Sequence, residues 1–416
     1  MKFKSLLLLL LAISLTSVAQ KSPEEKLNMV MYAIMNRYVD SISKAKFVDK
    51  QIERMMHELD PFSEYLPPAA AAGNEFALLG TPPAVPSDTN EPVNSQALPT
   101  PMPAPGAQMQ PSTVTTHYML GKGVGYMAMS MFAERSADDF RMALEDLKRG
   151  GMKTLVLDLQ NNAGGFVEVA VALAEQFLAP GTLVFTAKGS HIPTEAFKTS
   201  GRGGFQKGKL FVLIGSGTKS AAELLAAALQ DHGRATLVGQ RSFGKGLIQE
   251  TLPFEDGSAL RLTVARYFTP KGKCIQKPYG GGALTDEWGV VPNIETAADT
   301  LHRSSFWYNL ITVSGVQTLI ARNYANANKE QLAAQFKTVA DFTRGFNGTP
   351  LFDKVVKKAD ELQYTHTEND FEKCRQYVEL QLKALVAGHV YGKEAFKQVM
   401  NERNFALVKV VQLMGR

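Results

Sequence analysis

Apolar residues recur along this chain in three rhythms, and the changes of rhythm divide it. From 23 to 66 they fall at helical spacing. Leu27, Met31, Ile34 and Met35 share one face, and Val48, Ile52, Met55 and Met56 share another. Two helices are predicted, the second ending at Leu59-Asp60-Pro61-Phe62-Ser63, because the residue before a proline is steered away from the helical region. From about 117 to 298, short apolar runs alternate with helical stretches. The runs at 154–159 and 210–214 read as buried strands, and 123–131, 236–238, 246–252 and 260–268 as further strands. Ser136 is expected to cap one helix, Val167, Val169, Ala170 and Leu173 to line a second, and a third to run from Ser220 to about Gln230. Strand and helix in alternation predict an α/β domain with a largely parallel core. From 299 to 416 the glycine-rich turns cease. Phe371, Tyr377, Val378, Leu382 and Val386 keep helical spacing there, so this region reads as a helical domain.

Composition adds a leader and a linker. Lys2 and Lys4, the apolar run Leu6 to Leu15 and Ser17-Val18-Ala19 have the three parts of a secretory signal, so export is expected. Eleven of the 20 prolines fall within 67–113, where no apolar period is visible, and an extended linker is expected. The predicted organisation is a signal peptide (1–19), a helical segment (20–66), a proline-rich linker (67–113), an α/β domain (114–298) and a helical C-terminal domain (299–416). Net charge is +5, two units of it from Lys2 and Lys4 in the leader, too little to argue for nucleic acid. No later run of 18 apolar residues suggests a membrane span, so no integral membrane segment is expected after the leader. Cys274 and Cys374 are too far apart in sequence to form a metal or redox motif, and whether they pair is left open.

Three places carry candidate chemistry. Ser220 lies where a buried strand and a short loop hand over to a helix. Unpaired N–H groups and a partial positive charge gather at such a point, and both stabilise an oxyanion. Serine is also a favoured helix cap, so position alone does not make it a nucleophile. The turn Asn161-Asn162-Ala163-Gly164-Gly165 follows another buried strand. Its glycines let backbone N–H groups approach an anion, though a tight turn explains them equally well. Lys245, in Ser242-Phe243-Gly244-Lys245-Gly246, is flanked by small and apolar residues. If drawn out of water it would lose its charge more readily and could accept a proton near neutral pH. Gln249 lies four residues on, placed to orient that amine.

Taken together, these blocks resemble the carboxyl-terminal processing, or tail-specific, proteases, a family of Ser–Lys peptidases. Ser220-Ala221-Ala222-Glu223 is similar to the family's nucleophile block. Ser242 to Gly246 is similar to its Thr-Phe-Gly-Lys-Gly block, and 158–165 to its Asp-Leu-Arg-Asn-Asn-Pro-Gly-Gly turn. Asp256-Gly257-Ser258, Thr269-Pro270 and Gly289-Val290-Val291-Pro292-Asn293 match in order, as does Leu59-Asp60-Pro61-Phe62-Ser63 in the leader helices. The resemblance implies a crotonase/ClpP-like strand-helix core. It also implies a serine endopeptidase acting near the C-termini of exported proteins, periplasmic in location, without cofactor or metal. Ser220 would be the nucleophile, Lys245 the general base, Gln249 its support, and the N–H groups of Ala221 and Gly164 the oxyanion hole. Protein or peptide substrates are the implied partners, and the helical ends are candidate surfaces for homo-oligomer assembly.

Three departures stand out. Where the family usually has a PDZ domain the interval is proline-rich, too short and of the wrong composition for one, so none is expected; the turn's arginine is Gln160, and Lys219 precedes the serine. Rival readings are weaker. Ser216 to Lys219 fits the SxxK pattern of penicillin-binding enzymes, but the companion motifs are missing. A Ser–His–Asp triad would draw on His232 and Asp231, a full helix away from Ser220. The alternative from another class is an inactive peptide-binding scaffold, for which joint retention of Ser220, Lys245 and Gln249 has no use.

Overall fold

A computed structural model describes residues 22–68, 112–121, 123–201, 203–279, 287–298 and 301–415. The expected signal peptide and nearly all of the expected linker lie outside the described residues. The two predicted leader helices are present as α1 (Pro23–Arg37) and α2 (Lys44–Leu59). Ser22 and Glu25 close a capping box at the start of α1. α2 stops at Asp60, whose carboxylate accepts from the Phe62 and Ser63 N–H groups and so fixes the chain's exit. Neither helix buries a residue fully, and Leu27, Val30 and Tyr32 remain exposed.

The α/β region runs β1 (Glu64–Leu66), β2 (Val114–Gly121), β3 (Val124–Met129), α3 (Ser136–Arg149), β4 (Thr154–Asp158) and α4 (Val167–Glu175). It continues with β5 (Leu183–Lys188), β6 (Glu195–Lys198), β7 (Lys209–Ile214), α5 (Ala221–Asp231), β8 (Thr236–Gly239), β9 (Leu247–Pro253), β10 (Ala259–Phe268) and β11 (Ile294–Glu295). Ser136 begins α3 rather than capping it. Its hydroxyl accepts from the Ala133 N–H and donates to the Met131 carbonyl, bracing the preceding turn.

The strands form two sheets. One has the order β11-β8-β7-β4-β3-β2, parallel except for the β2–β3 hairpin. Side chains alternate across it: Leu210, Val212 and Ile214 of β7 join one core, Phe211 and Leu213 the other. The second sheet is antiparallel. There β10 pairs with β9 along most of its length and with β1 and β5 at its two ends. This second, antiparallel layer is not distinguished in the sequence, where 246–252 and 260–268 read as further strands of an α/β domain with a largely parallel core. Helix α5, Ala-Ala-Glu-Leu-Leu-Ala-Ala-Ala-Leu-Gln-Asp, lies buried from Ala221 to Leu229 in the core shared by both sheets. A helix apolar on every side needs cover on every side. Its three buried leucines contribute on the order of 5–9 kcal/mol by transfer alone.

The C-terminal region is helical, as expected: α6 (Phe306–Val313), α7 (Val316–Gln335), α8 (Val339–Gly345), α9 (Thr349–Glu361), α10 (Glu368–Tyr391), α11 (Lys393–Met400) and α12 (Phe405–Met414). α6 to α11 close their own core around Trp307, Phe342, Phe352 and Val378. α12 leaves that core. Its Ala406, Leu407 and Val410 pack on Tyr126, Val156, Phe211 and Leu213, covering the outer face of the parallel sheet. Cys274 and Cys374 are both free thiols, the latter buried in the helical core.

Candidate active site

Strand β7 delivers the chain to a loop, 215–219, that is tied down at each step. The buried Thr218 hydroxyl donates to Leu159 O at 2.7 Å and accepts from Gly215 N–H at 3.0 Å. Lys219 N–H donates to Asn162 O at 2.9 Å. These bonds press the loop against the glycine turn that follows β4. They force Ser220 into φ 53°, ψ −124°, a conformation strained for any residue with a Cβ. Only Gln363 shares a positive φ with Ser220 among the described non-glycine residues. The result is a sharp strand-to-helix elbow that lifts the Ser220 hydroxyl at the mouth of α5, where the helix dipole and open N–H groups point.

The glycine turn abuts that elbow. At Gly164, φ is +85°, and an added Cβ would lie 2.6 Å from Lys219 O and 2.8 Å from Ser220 Cβ. Only glycine allows this approach. The Gly164 N–H, expected to face an oxyanion, instead donates to Asn162 Oδ1 at 2.9 Å in a local Asx turn. Neither the next N–H, that of Gly165, nor that of Ala221 has a hydrogen-bond partner among the described residues. The turn is braced from behind. Asp158, at the end of β4, accepts from the Tyr126 hydroxyl at 2.5 Å and from Gln160 N–H at 2.9 Å, and it lies 3.5 Å from Lys397. Gln160, which stands where the family pattern has arginine, accepts from Asn404 Nδ2 at 2.7 Å through its side-chain oxygen.

Lys245 sits in the loop between β8 and β9. Gly244, at φ +86°, is needed there because a Cβ would strike Trp288 at 2.8 Å. The amine lies over the Phe62 ring, 5.6 Å from its centroid. Burial holds the Lys245 amine below the ordinary lysine range. The positive charges of Arg261 and Lys219 act in the same sense, and Glu64 opposes them. Gln249 donates from Nε2 to Phe62 O at 2.7 Å rather than to Lys245, so it meets the lysine's surroundings through Phe62. Among the described residues the Ser220 hydroxyl and the Lys245 amine share no hydrogen bond; catalytic contacts are often long before substrate binds. Lys219 turns away, its ammonium 4.4 Å from the Phe243 ring centroid.

Two contributors escaped the sequence reading. The first is Glu223, fully buried in the first turn of α5. One oxygen accepts from Ser220 N–H at 2.9 Å and Lys245 N–H at 2.8 Å; the other accepts from Gly244 N–H at 2.6 Å and the Ser242 hydroxyl at 2.5 Å. Burial pushes this carboxyl up, against the pull of those four donors. A single carboxylate therefore ties the serine elbow to the lysine loop. A glutamate three residues after a helix-initiating serine is the visible signal of a capping box, but its reach to residue 245 is not legible in sequence. The second is Phe62, supplied by the N-terminal segment through the β1–β10 pairing. The rival histidine is engaged elsewhere: the His232 ring lies 2.7 Å from Leu183 O, and Asp231 accepts from Lys271 N–H.

A strained serine at a helix mouth, open N–H groups beside it and a desolvated lysine on a tethered loop are groups that acyl-transfer chemistry requires. Residues 123–296 match the model of peptidase family S41. Residues 307–392 match a family of unknown function, DUF8443. The chain is 38% identical over 180 residues to the carboxyl-terminal-processing protease of Synechocystis sp., covering 43% of this chain and 41% of that protein. It is 33% identical over 159 residues to the carboxy-terminal processing protease CtpA of Bacillus subtilis, covering 38% of this chain and 34% of that protein. The chain thus spans about two fifths of the length of such curated relatives. The photosystem II D1 C-terminal processing protease is a structural neighbour at TM-score 0.44 and 23% identity, covering 67% of this chain and 94% of that one. No helix among the described residues is long and apolar enough to cross a membrane.

Proposed function

We propose that the protein is a serine endopeptidase that cleaves exported proteins, near their C-termini, by a Ser–Lys mechanism. Ser220 attacks the scissile carbonyl. Neutral Lys245 takes the hydroxyl proton and passes it to the leaving amine. The Ala221 N–H and the glycine turn receive the oxyanion, with Gly165 the open donor where Gly164 was expected. Gln249, anchored by Nε2 on Phe62, has its amide oxygen left to accept from the Lys245 amine as the pair closes on substrate. Export rests on the leader at 1–19, and a periplasmic location on the likeness to the carboxyl-terminal processing proteases. Protein substrates follow from the peptidase family.

The observation that carries this reading is the strained Ser220 elbow bound through Glu223 to the Lys245 loop. A peptide-binding scaffold gains nothing from a strained serine coupled to a desolvated lysine. Ser220→Ala and Lys245→Ala should each abolish casein hydrolysis while leaving the urea transition in place. A fluorophosphonate probe should label the wild type and not Ser220→Ala. Undiminished hydrolysis in either variant would remove the mechanism.

A further inference from the structure

A second feature of the antiparallel sheet lies outside the Ser–Lys pair. Arg266 of β10 and Lys188 of β5 are direct cross-strand partners, and both side chains are exposed. Like charges placed opposite each other in a ladder destabilise it. Neither residue forms an ion pair among the described residues. Lys188 rests over the Phe268 ring at 5.0 Å, and Arg266 is hydrogen-bonded to the Tyr279 hydroxyl at 3.3 Å. The two cations border a cleft of about 480 Å³ also lined by Asp60 and Thr263. Asp60 accepts from two N–H groups and the Ser63 hydroxyl, and its charge acts on Arg266 without an ion pair forming, which leaves one negative charge against two positive ones in the cleft. The cleft is one strand from the catalytic loop. Arg266 pairs with Leu247 and Thr263 with Gln249 across β10–β9, and Tyr267 N–H donates to Gly246 O.

We propose that Lys188 and Arg266, with the Tyr279 hydroxyl, form a subsite for a carboxylate of the bound peptide. Bound there, the carboxylate neutralises the cross-strand repulsion and anchors the substrate one strand from Lys245. This inference rests on the peptidase reading, because it assigns the carboxylate to a substrate. The carboxylate has two sources, the chain terminus or an acidic side chain, and the test separates them.

The probes are three fluorescein-labelled peptides of one sequence: a free C-terminal acid, its C-terminal amide, and the amide with one glutamate near the end. Fluorescence anisotropy measures their binding to the full-length Ser220→Ala protein, so the readout does not depend on turnover. At low salt the free acid, the glutamate peptide or both should bind about fivefold tighter than the neutral amide. A preference for the free acid alone assigns the site to a chain terminus. A preference for the glutamate peptide assigns it to a side chain. Adding Lys188→Gln and Arg266→Gln should erase the preference, with a urea midpoint no lower than the parent's showing that the sheet persists. Equal binding of all three peptides, no binding of any, or a preference surviving in the double variant overturns the proposal. The peptidase reading fails separately, on hydrolysis by Ser220→Ala.

Discussion

Glu223→Gln tests how the site is held together, and its cost follows from hydrogen-bond inventory. The carboxylate takes two donors on each oxygen: Ser220 and Lys245 N–H on one side, Gly244 N–H and the Ser242 hydroxyl on the other. An amide of the same shape accepts on one side only. Its best orientation keeps the oxygen towards Ser220 and Lys245. The NH2 then faces Ser242, whose hydroxyl turns to accept, and the Gly244 N–H, which cannot. One charge-assisted bond is lost, worth about 1.5–3 kcal/mol, and a buried donor is left opposed, costing about 1–3 kcal/mol more. The expected loss is about 2.5–6 kcal/mol, a large share of the ~5–15 kcal/mol available to a folded domain. Urea unfolding followed by tryptophan fluorescence measures it, with activity per folded molecule read alongside. Glu223→Ala, leaving all four donors unpartnered, should be worse. A Glu223→Gln protein within about 1 kcal/mol of wild type would refute the reasoning.

Other consequences are equally open to measurement. Gly164→Ala should abolish hydrolysis and lower stability by about 2 kcal/mol or more, since its methyl would collide with Lys219 O and Ser220 Cβ; a wild-type urea midpoint would exclude that contact. Ser220→Gly should be more stable than Ser220→Ala by about 1 kcal/mol, because glycine adopts this φ freely; the reverse order would deny the strain. The base acts only when neutral, so activity should climb as pH rises through the pKa of Lys245. Lys219→Gln removes a positive charge that lowers that pKa, so the climb should move to higher pH; Glu64→Gln removes the opposing charge and should move it to lower pH. Phe62→Ala admits water to the amine and should also move the climb upward; an unshifted profile would take Phe62 out of the lysine's surroundings.

Ser220, Lys245, the glycine turn and the helical ends were legible because each depends on local pattern. A strand running into a helix places the serine, flanking glycines mark a loop that packs closely, and apolar period separates strand from helix. The same logic predicted that α2 stops before Pro61, and the Asp60 carboxylate closes that stop. What escaped notice needs partners distant in sequence. Glu223 reads as a helix cap until the 242–245 loop folds over it. Phe62 joins the site only because β1 pairs with β10, and Arg266 meets Lys188 only across two antiparallel strands. Gly164 turned inward because a nearer acceptor, Asn162, captured its N–H. That α12 packs on the parallel sheet rather than in the helical core is likewise invisible in its local pattern. Sequence by itself marked the candidate groups, since backbone propensity and residue type are local. Tertiary structure decided which of them meet and in which direction their pKa values move, since burial and long-range hydrogen bonds exist only once the two sheets have closed on α5.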